Sequence, residues 1–319
     1  MNINNLKIPI LQAPIEATAG LAAAVSNAGG MGSVQGTWSA PDEAAALVEG
    51  ILSKTTNPFF VNYVLSFTPN SLDAVIEAGA PAVTFSWGID RGLIEHAHKK
   101  NVVVGIQIGS LEGAKAAILS GADFIICQGV EAGGHVQSTT ALANLLPQVL
   151  DSVGEIPVFA AGGLANAEDI GLALRQGARG AMLGTRFLAT KESDAHQLYK
   201  NAIIASDGTD TVYTVCFDGG WPQAPHRVIR NQTLKDWEAA GCPPQGKRPR
   251  EGDIVASDSF GYEVKRYASD YPSVFYEESL MDDMALYAGM GCSKINDIPN
   301  ASELVRKLWE DSQIVKSAL

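Results

Sequence analysis

The stretch best suited to chemistry runs from Cys127 to His135 and has the sequence CQGVEAGGH. It follows an apolar run at residues 124–126, which is typical of a buried parallel strand. Gly133 and Gly134 let the backbone approach a ligand closely, and the histidine after them can exchange a proton near neutral pH. α/β enzymes place chemistry at the carboxyl ends of their strands in this way. A glycine-rich turn with a surface histidine explains this stretch equally well.

Two more glycine motifs follow the seventh and eighth predicted strands, AAGGL at 160–164 and GTRF at 184–187. In a (β/α)8 barrel the loops after these strands often bind phosphate through backbone N–H groups. Gly162 and Gly163 can turn their amides toward a phosphate, and Thr185 can add a hydroxyl donor. Tight turns alone would also explain these glycines, but two such loops at the two expected positions favour a phosphate site.

Two amide side chains, Asn62 and Gln107, fall near the ends of the third and fifth predicted strands. Buried amides need hydrogen-bond partners, which either a ligand ring edge or neighbouring backbone would supply. Residues 11–14 end the first strand, which lies beside the eighth in a barrel, so their backbone could contact the same ligand. The five histidines have no metal-ligand spacing, and no metal is expected.

The elements that would position these residues alternate regularly. The predicted strands span residues 8–13, 31–34, 59–64, 82–85, 102–108, 124–128, 157–160 and 180–183. The predicted helices span residues 20–28, 40–53, 70–78, 91–100, 110–120, 141–153, 167–176 and 193–205. Eight consecutive strand–helix pairs predict an α/β fold of the TIM (β/α)8 barrel type. A doubly wound sheet is the alternative.

This alternation ends at residue 205. We expect residues 1–205 to form the barrel, residues 206–282 a small inserted α/β cap over its mouth, and residues 283–319 C-terminal helices that return to the barrel. The middle segment is too rich in Trp, Tyr and Phe to stay unburied. Helices are expected at 233–240, 282–287 and 301–316.

Net charge, apolar runs and cysteine spacing argue against several classes of protein. The 319 residues carry a formal net charge of −12, which argues against a nucleic-acid or anionic-membrane partner. No apolar run approaches the ~20 residues of a membrane span, and the first residues have no secretory pattern. The four cysteines form no CxxC pair, so we expect a protein of the reducing cytoplasm.

Several motifs together resemble the nitronate monooxygenase family, formerly called 2-nitropropane dioxygenases. They are QAP at 12–14, CQGVEAGGH at 127–135, IPVFAAGG at 156–163, GTRFLATKES at 184–193, VYTVCFDGGWPQAPHRVIRN at 212–231 and YAGMG at 287–291. The resemblance spans nearly the whole chain. The barrel motifs are shared with flavin-dependent enoyl-acyl carrier protein reductases, whereas FDGGWPQAPHR is more specific to the monooxygenase branch.

The resemblance implies a TIM barrel with a small inserted domain and a non-covalent FMN. Matched by motif, the residues around the flavin ring and ribityl chain are Ala13, Pro14, Asn62, Gln107, Gln128 and Gly134. Those around the phosphate are Ala161, Gly162, Gly163, Gly184 and Thr185, and His135 matches the catalytic histidine. Ile15 and Met290 depart from the usual Met and Gln, which leaves the identity of the substrate open.

The leading hypothesis is the FMN-dependent oxidation of alkyl nitronates by O₂ to carbonyl compounds and nitrite, with nitroalkanes as further candidate substrates. In it His135, titrating near pH 7, acts as the base toward neutral nitroalkanes. The alternative is an NAD(P)H-dependent flavin reductase of enoyl thioesters or quinones. A phosphosugar isomerase or lyase barrel and a flavin-binding protein without turnover also stay open, as does a homodimer.

Overall fold

The computed structural model describes residues 1–16, 18–277 and 280–318. Its strands, in chain order, are β1 Ile10–Gln12, β2 Gly32–Gln35, β3 Phe59–Val64, β4 Ala82–Ser86, β5 Val103–Ile108, β6 Phe124–Gln128, β7 Gly134–His135, β8 Val158–Ala161, β9 Gly180–Leu183, β10 Thr211–Thr214, β11 His226–Ile229, β12 Ile254–Asp258, β13 Glu263–Lys265 and β14 Tyr276–Glu277.

The α-helices of the described residues surround and connect these strands. In chain order they are α1 Ala19–Asn27, α2 Pro41–Leu52, α3 Leu72–Glu77, α4 Arg91–Lys99, α5 Leu111–Leu119, α6 Leu142–Ser152, α7 Ala167–Gln176, α8 Thr185–Leu188, α9 Gln197–Ala205, α10 Gln232–Ala239 and α11 Ala301–Ser317. Short 3₁₀ helices span Ile3–Asn5, Gly208–Asp210, Met281–Asp283 and Met290–Lys294. No described helix is long and apolar enough to cross a membrane.

Eight parallel strands form one sheet in the order β1-β9-β8-β6-β5-β4-β3-β2. The two edge strands meet through a parallel bridge between Leu11 and Met31. There the Gln12 N–H donates to the Met31 carbonyl (3.0 Å), and the Met31 N–H donates to the Ile10 carbonyl (3.0 Å). The sheet therefore closes on itself, which confirms the TIM barrel and excludes the doubly wound alternative.

Residue alternation along the strands separates two cores. In β3, Phe59, Val61 and Tyr63 pack against the surrounding helices, whereas Phe60 points into the barrel. Phe124 and Phe159 lie beside Phe60 in the interior. The ring centroids of Phe124 and Phe159 are 5.7 Å apart. Because side chains alternate with period two, the next inward position of each strand lies nearer its carboxyl end. The apolar side chains thus fill the barrel at the amino ends of the strands and leave space inside it at the carboxyl ends.

The eighth helix differs from the one predicted at 193–205. The chain forms the short α8, then an irregular stretch, and α9 begins only at Gln197. The irregular stretch is held by buried polar contacts, since Ser193 Oγ and the Asp194 N–H both donate to Glu16 Oε2 (3.0 and 3.1 Å). These contacts with a residue far away in sequence override the local helical pattern.

The helix predicted at 282–287 is wrong. Only Met281–Asp283 forms a 3₁₀ turn, and the chain then runs extended beside β11. The Ile229 N–H donates to the Leu286 carbonyl (2.7 Å), and Tyr287 forms a bridge with Val228. Backbone pairing with β11 thus replaces the hydrogen bonds of a helix. By contrast, α10 and α11 form close to the predicted positions 233–240 and 301–316.

Residues 211–277 contribute to two small antiparallel sheets, in the orders β10-β11-β7 and β13-β12-β14. The strand β7 belongs to the loop after β6, so the first of these sheets joins the inserted segment to the barrel. The C-terminal helix α11 packs on α7 and α1 of the barrel wall. The boundaries at residues 205 and 282 stay a prediction, although this arrangement is compatible with them.

Candidate active site

A cavity of ≈ 950 Å³ lies at the carboxyl ends of the barrel strands, near the upper limit of ~300–1,000 Å³ for small-molecule sites. The sequence-predicted site residues all line it: Ala13, Pro14, Asn62, Gln107, Gln128, Gly134, His135, Ala161, Gly162, Gly163, Gly184 and Thr185. The inserted segment lines the same cavity through Trp221 and Tyr271, among others. The cavity therefore lies between the barrel and the inserted segment.

His135 is positioned by backbone pairing with the inserted segment. It forms a β-pair with His226, while Gly134 pairs with Arg227. Gln128, at the end of β6, donates from Nε2 to the His135 carbonyl (3.2 Å). Gly134 has a φ of 72°, and no atom lies within 4 Å of the place where a Cβ would stand. This glycine therefore gives the loop its left-handed turn and leaves an open face toward the cavity.

The His135 ring lies among aromatic side chains. It stacks on Trp221 with centroids 4.2 Å apart and planes 26° apart, and the Tyr287 and Trp87 centroids lie 5.6 and 6.5 Å away. Its Nε2 is buried and has no hydrogen-bond partner within the described residues. A buried polar nitrogen needs a hydrogen-bond partner, and a ligand bound in the cavity would supply one.

The histidine beside it, His226, is held neutral. The Phe217 N–H donates to its Nε2 (3.2 Å), so that nitrogen must carry a lone pair, and Nδ1 lies 3.0 Å from the Ala224 carbonyl. Nδ1 therefore carries the hydrogen and donates it. Burial lowers the pKa of His226 to about 4, which agrees with a neutral ring.

The pKa of His135 corrects the expectation that this residue titrates near pH 7. Burial, followed by the effect of His226, lowers that pKa to about 3. The cause is desolvation, because the surrounding aromatic rings cannot solvate an imidazolium. His135 is thus neutral at physiological pH and is a much weaker base than the sequence suggested.

Polar side chains fill the inward positions at the ends of β3 to β6. Thr84 Oγ1 donates to Asn62 Oδ1 (2.8 Å). Gln137 links the other two amides, since its N–H donates to Gln128 Oε1 (2.9 Å) and its Oε1 accepts from Gln107 Nε2 (3.0 Å). Gln137 lies two residues beyond His135, and no sequence motif pointed to it. These amides offer both donors and acceptors at the bottom of the cavity.

The loop after β8 has a backbone that only glycine accommodates. Gly162 and Gly163 have φ values of 111° and 69°. A Cβ at Gly162 would lie 2.9 Å from the Gly129 carbonyl oxygen, and one at Gly163 would lie 2.8 Å from the Glu131 Cβ. Turns in which successive backbone N–H groups converge form concave sites that bind anions. A substitution at Gly162 would distort the loop itself, so it cannot separate phosphate binding from folding.

Thr185 lies at the start of α8, and its hydroxyl oxygen accepts from the Gly289 N–H (3.0 Å). Its own hydrogen can still donate to a ligand. The segment 287–291 is held tightly against the barrel loops, since the Met290 N–H donates to the Glu131 carbonyl (3.0 Å). A Cβ at Gly289 would lie 2.8 Å from the Glu131 carbonyl oxygen and one at Gly291 would lie 2.2 Å from the Gly163 carbonyl oxygen, which explains the two glycines of YAGMG.

A buried acid pair, Glu16 and Asp194, lines another part of the cavity. Glu16 Oε1 accepts from Thr18 Oγ1 (2.7 Å), and Tyr271 of the inserted segment donates to Asp194 Oδ1 (3.0 Å). Burial, and then the neighbouring Asp194, raise the pKa of Glu16 well above its ordinary value. No motif pointed to this pair, whose members lie 178 residues apart in sequence.

Over residues 1–16, 18–277 and 280–318, the cavity lining contains the carboxyl side chains of Glu16, Asp194 and Asp270 and no Lys or Arg. The described residues contain no cluster of His, Cys, Asp or Glu that could hold a metal ion. An anionic group in this cavity must therefore be bound by backbone amides and neutral donors.

Known proteins resemble this chain in sequence and in fold. The family model "Nitronate monooxygenase" matches residues 1–74 and 67–311. A probable nitronate monooxygenase of Staphylococcus saprophyticus is 32% identical over 72% of this chain and 78% of its own length. A (3aS,4S,5R,7aS)-5-hydroxy-7a-methyl-1-oxo-octahydro-1H-indene-4-carboxyl-CoA dehydrogenase of Rhodococcus jostii is 34% identical over 73% of this chain and 65% of its own length.

Among solved structures, the nitroalkane oxidase of Streptomyces ansochromogenes superposes with a TM-score of 0.78 at 26% identity, covering 98% of both chains. The family match covers every residue that lines the cavity, and the fold match covers the inserted segment as well as the barrel. The chain therefore belongs to the nitronate monooxygenase family, and it is an oxidoreductase.

Proposed function

We propose that the cavity binds FMN and that the enzyme uses O₂ to convert a nitronate into a carbonyl compound and nitrite. The observation that carries this proposal is the convergence of all the family-matched residues, from β1 to β9, on one cavity that also contains the unpartnered His135 Nε2. FMN would supply the transfer of electrons from the nitronate to O₂.

FMN needs one phosphate site and one site for the flavin ring, and the cavity has residues suited to both. The left-handed Gly162 and Gly163, with Gly184 and Thr185 beside them, would hold the phosphate through backbone amides and a hydroxyl. The amides of Asn62, Gln107 and Gln128 would contact the polar edge of the ring, together with the backbone at Ala13, Pro14, Gly134 and Ala161.

In this proposal His135 is a neutral hydrogen-bond donor. A nitronate has already lost its carbon-bound proton, so it needs orientation and charge stabilisation but no base. A neutral imidazole can donate one N–H to the nitronate oxygens, and such bonds to a charged group are strong in a buried site. With a pKa of about 3, the same ring is poorly suited to take a proton from a neutral nitroalkane. The proposal therefore favours nitronates over nitroalkanes.

Product analysis of the purified enzyme tests the proposal. Ethyl nitronate in air should release nitrite and acetaldehyde and consume O₂, with no need for NAD(P)H. Denaturation should release FMN and no FAD. A colourless protein that cannot be reconstituted with FMN would exclude the flavin proposal, and nitronate turnover without nitrite would exclude the reaction.

The alternative, an NAD(P)H-dependent reductase, keeps some support because one relative is named a carboxyl-CoA dehydrogenase. The same assay distinguishes the two functions. Consumption of NAD(P)H with an enoyl thioester or a quinone, at a rate above that of nitronate oxidation, would favour the alternative.

We also propose that a small-molecule substrate and O₂ are the partners, and that the protein acts in the cytoplasm. A homodimer stays a prediction that sedimentation of the purified protein can check.

A further inference from the structure

Four aromatic side chains form one continuous group beside His135, which we call the aromatic wall: Trp38, Phe67, Trp87 and Trp221. The centroids of Phe67 and Trp38 lie 5.6 Å apart, those of Phe67 and Trp221 5.4 Å, and those of Trp87 and Trp221 4.8 Å, all in edge-to-face arrangements. All four line the cavity.

The aromatic wall is assembled from four separate parts of the chain. Trp38, Phe67 and Trp87 follow β2, β3 and β4, and Trp221 comes from the inserted segment. Trp87 has a φ of 59°, a backbone conformation that bulky residues rarely adopt and that costs free energy. Trp38 leaves 59% of its surface exposed. The protein thus tolerates backbone strain and exposed apolar surface at this place, which marks a binding surface.

Acidic side chains lie elsewhere in the same cavity lining. Asp194 accepts from Tyr271 Oη, and Asp270 Oδ1 accepts from Tyr276 Oη (2.9 Å), so the inserted segment contributes to this acidic side. Because no Lys or Arg lines the cavity within the described ranges, a carboxylate on the substrate would find no cationic partner. It would lose its hydration and would be repelled by the carboxylate of Asp270.

Resting on the function proposed above, we propose that the substrate is a nitronate with an uncharged, apolar substituent, preferably an aromatic ring, that packs on the aromatic wall. Nitronates that carry a carboxylate are rejected. The nitronate group itself lies beside His135, where the imidazole N–H can bind it. The substituent then extends over Trp221 and Trp87, whose faces and edges are suited to a flat ring.

A series of three nitronates tests this selectivity with the flavin-loaded enzyme. They are the nitronates of phenylnitromethane and nitroethane, and propionate 3-nitronate, with kcat/KM measured by nitrite release. We expect kcat/KM to be about tenfold higher for the phenyl compound than for ethyl nitronate. We expect it to be at least about tenfold lower for propionate 3-nitronate than for ethyl nitronate. An equal or higher value for propionate 3-nitronate would overturn the inference, whereas no nitrite from any of the three would overturn the proposed function.

Trp38→Ala tests the aromatic wall directly. Because this side chain is largely exposed, its removal should leave the fold intact, and far-UV circular dichroism and flavin content check this. We expect the ratio of kcat/KM for the phenyl compound over ethyl nitronate to fall about fivefold. Phe260→Ala is the matched control, since Phe260 is 95% exposed and does not line the cavity. An unchanged ratio in Trp38→Ala would overturn the role of the wall.

Asp270→Asn tests the acidic side. Asn keeps an acceptor for Tyr276 Oη and removes the charge. We expect the ratio of kcat/KM for propionate 3-nitronate over ethyl nitronate to rise several-fold, and more at low than at high ionic strength. A ratio that stays constant would show that the charge of Asp270 does not select against carboxylates.

Discussion

The neutral state of His135 leads to a prediction that the pH dependence of kcat/KM can test. The structure lowers the pKa of this histidine to about 3, so the ring keeps one hydrogen and one lone pair throughout the physiological range. Replacement by Ala removes the N–H donor, and replacement by Gln retains a side-chain donor without a titrating group.

The expected size of the effect follows from the loss of one hydrogen bond to a charged group, which contributes about 1.5–3 kcal/mol. His135→Ala should therefore lower kcat/KM for ethyl nitronate roughly 10- to 150-fold. His135→Gln should recover part of this loss. A general base would show a different pattern, in which Ala and Gln are equally inactive toward nitroethane while nitronate oxidation changes little.

The assay is nitrite release between pH 5.5 and 8 at limiting nitronate, because kcat/KM reports ionisations of the free enzyme. Wild type and His135→Gln should show parallel profiles, since His135 does not titrate in this range. A break near pH 6–7 in the wild type that disappears in His135→Gln would refute the lowered pKa. Full activity of His135→Ala would refute the donor role, and the flavin content of each variant serves as the control.

Three further predictions concern the cofactor and stability. Gly184→Asp should weaken FMN binding at least about tenfold, because a carboxylate would approach the phosphate; fluorescence titration of the apoprotein measures this. Lowering the pH from 6.5 to 4 should reduce the free energy of unfolding by up to roughly 3 kcal/mol through His226, which urea denaturation measures. The native pKa of His226 is about 4, below its value in the unfolded chain, so the unfolded chain binds the proton first as the pH falls. Arg266→Leu should lower the unfolding free energy by ~3–5 kcal/mol, because it leaves the buried Asp283 without its partner at 2.7 Å.

Each of these predictions has a matched control. Gly184→Ala adds a Cβ at ordinary contact distances of 3.5 and 3.6 Å from Ala13 and Ile15, so it should keep FMN affinity. In His226→Gln, which can donate and accept as the histidine does, the acid-induced loss should shrink by roughly 3 kcal/mol. Arg91→Leu removes an exposed pair with Glu95 and should cost less than ~1 kcal/mol. Equal FMN affinity of the two Gly184 variants, an equal acid-induced loss in wild type and His226→Gln, or an equal loss of stability in the two Arg variants would contradict the corresponding prediction.

Local patterns in the sequence determined the barrel and its loops. Apolar runs such as β3, which is buried along its whole length, and helices with clear starts, such as α4 with Asp90 as its N-cap, are encoded within a few residues. The glycines at 162 and 163 were equally visible, because a backbone that only glycine accommodates requires glycine at that place in the sequence. The family resemblance rested on the same motifs, and the family match confirmed it.

Only the tertiary structure decided the chemical state of the site. His135 pairs with His226, which lies 91 residues later, and stacks on Trp221. Glu16 meets Asp194 across 178 residues. No local pattern reports such contacts, because they form when the inserted segment packs against the barrel. A pKa depends on how much water these distant groups exclude, so a histidine that the sequence presents as titrating near pH 7 is held neutral by the folded protein.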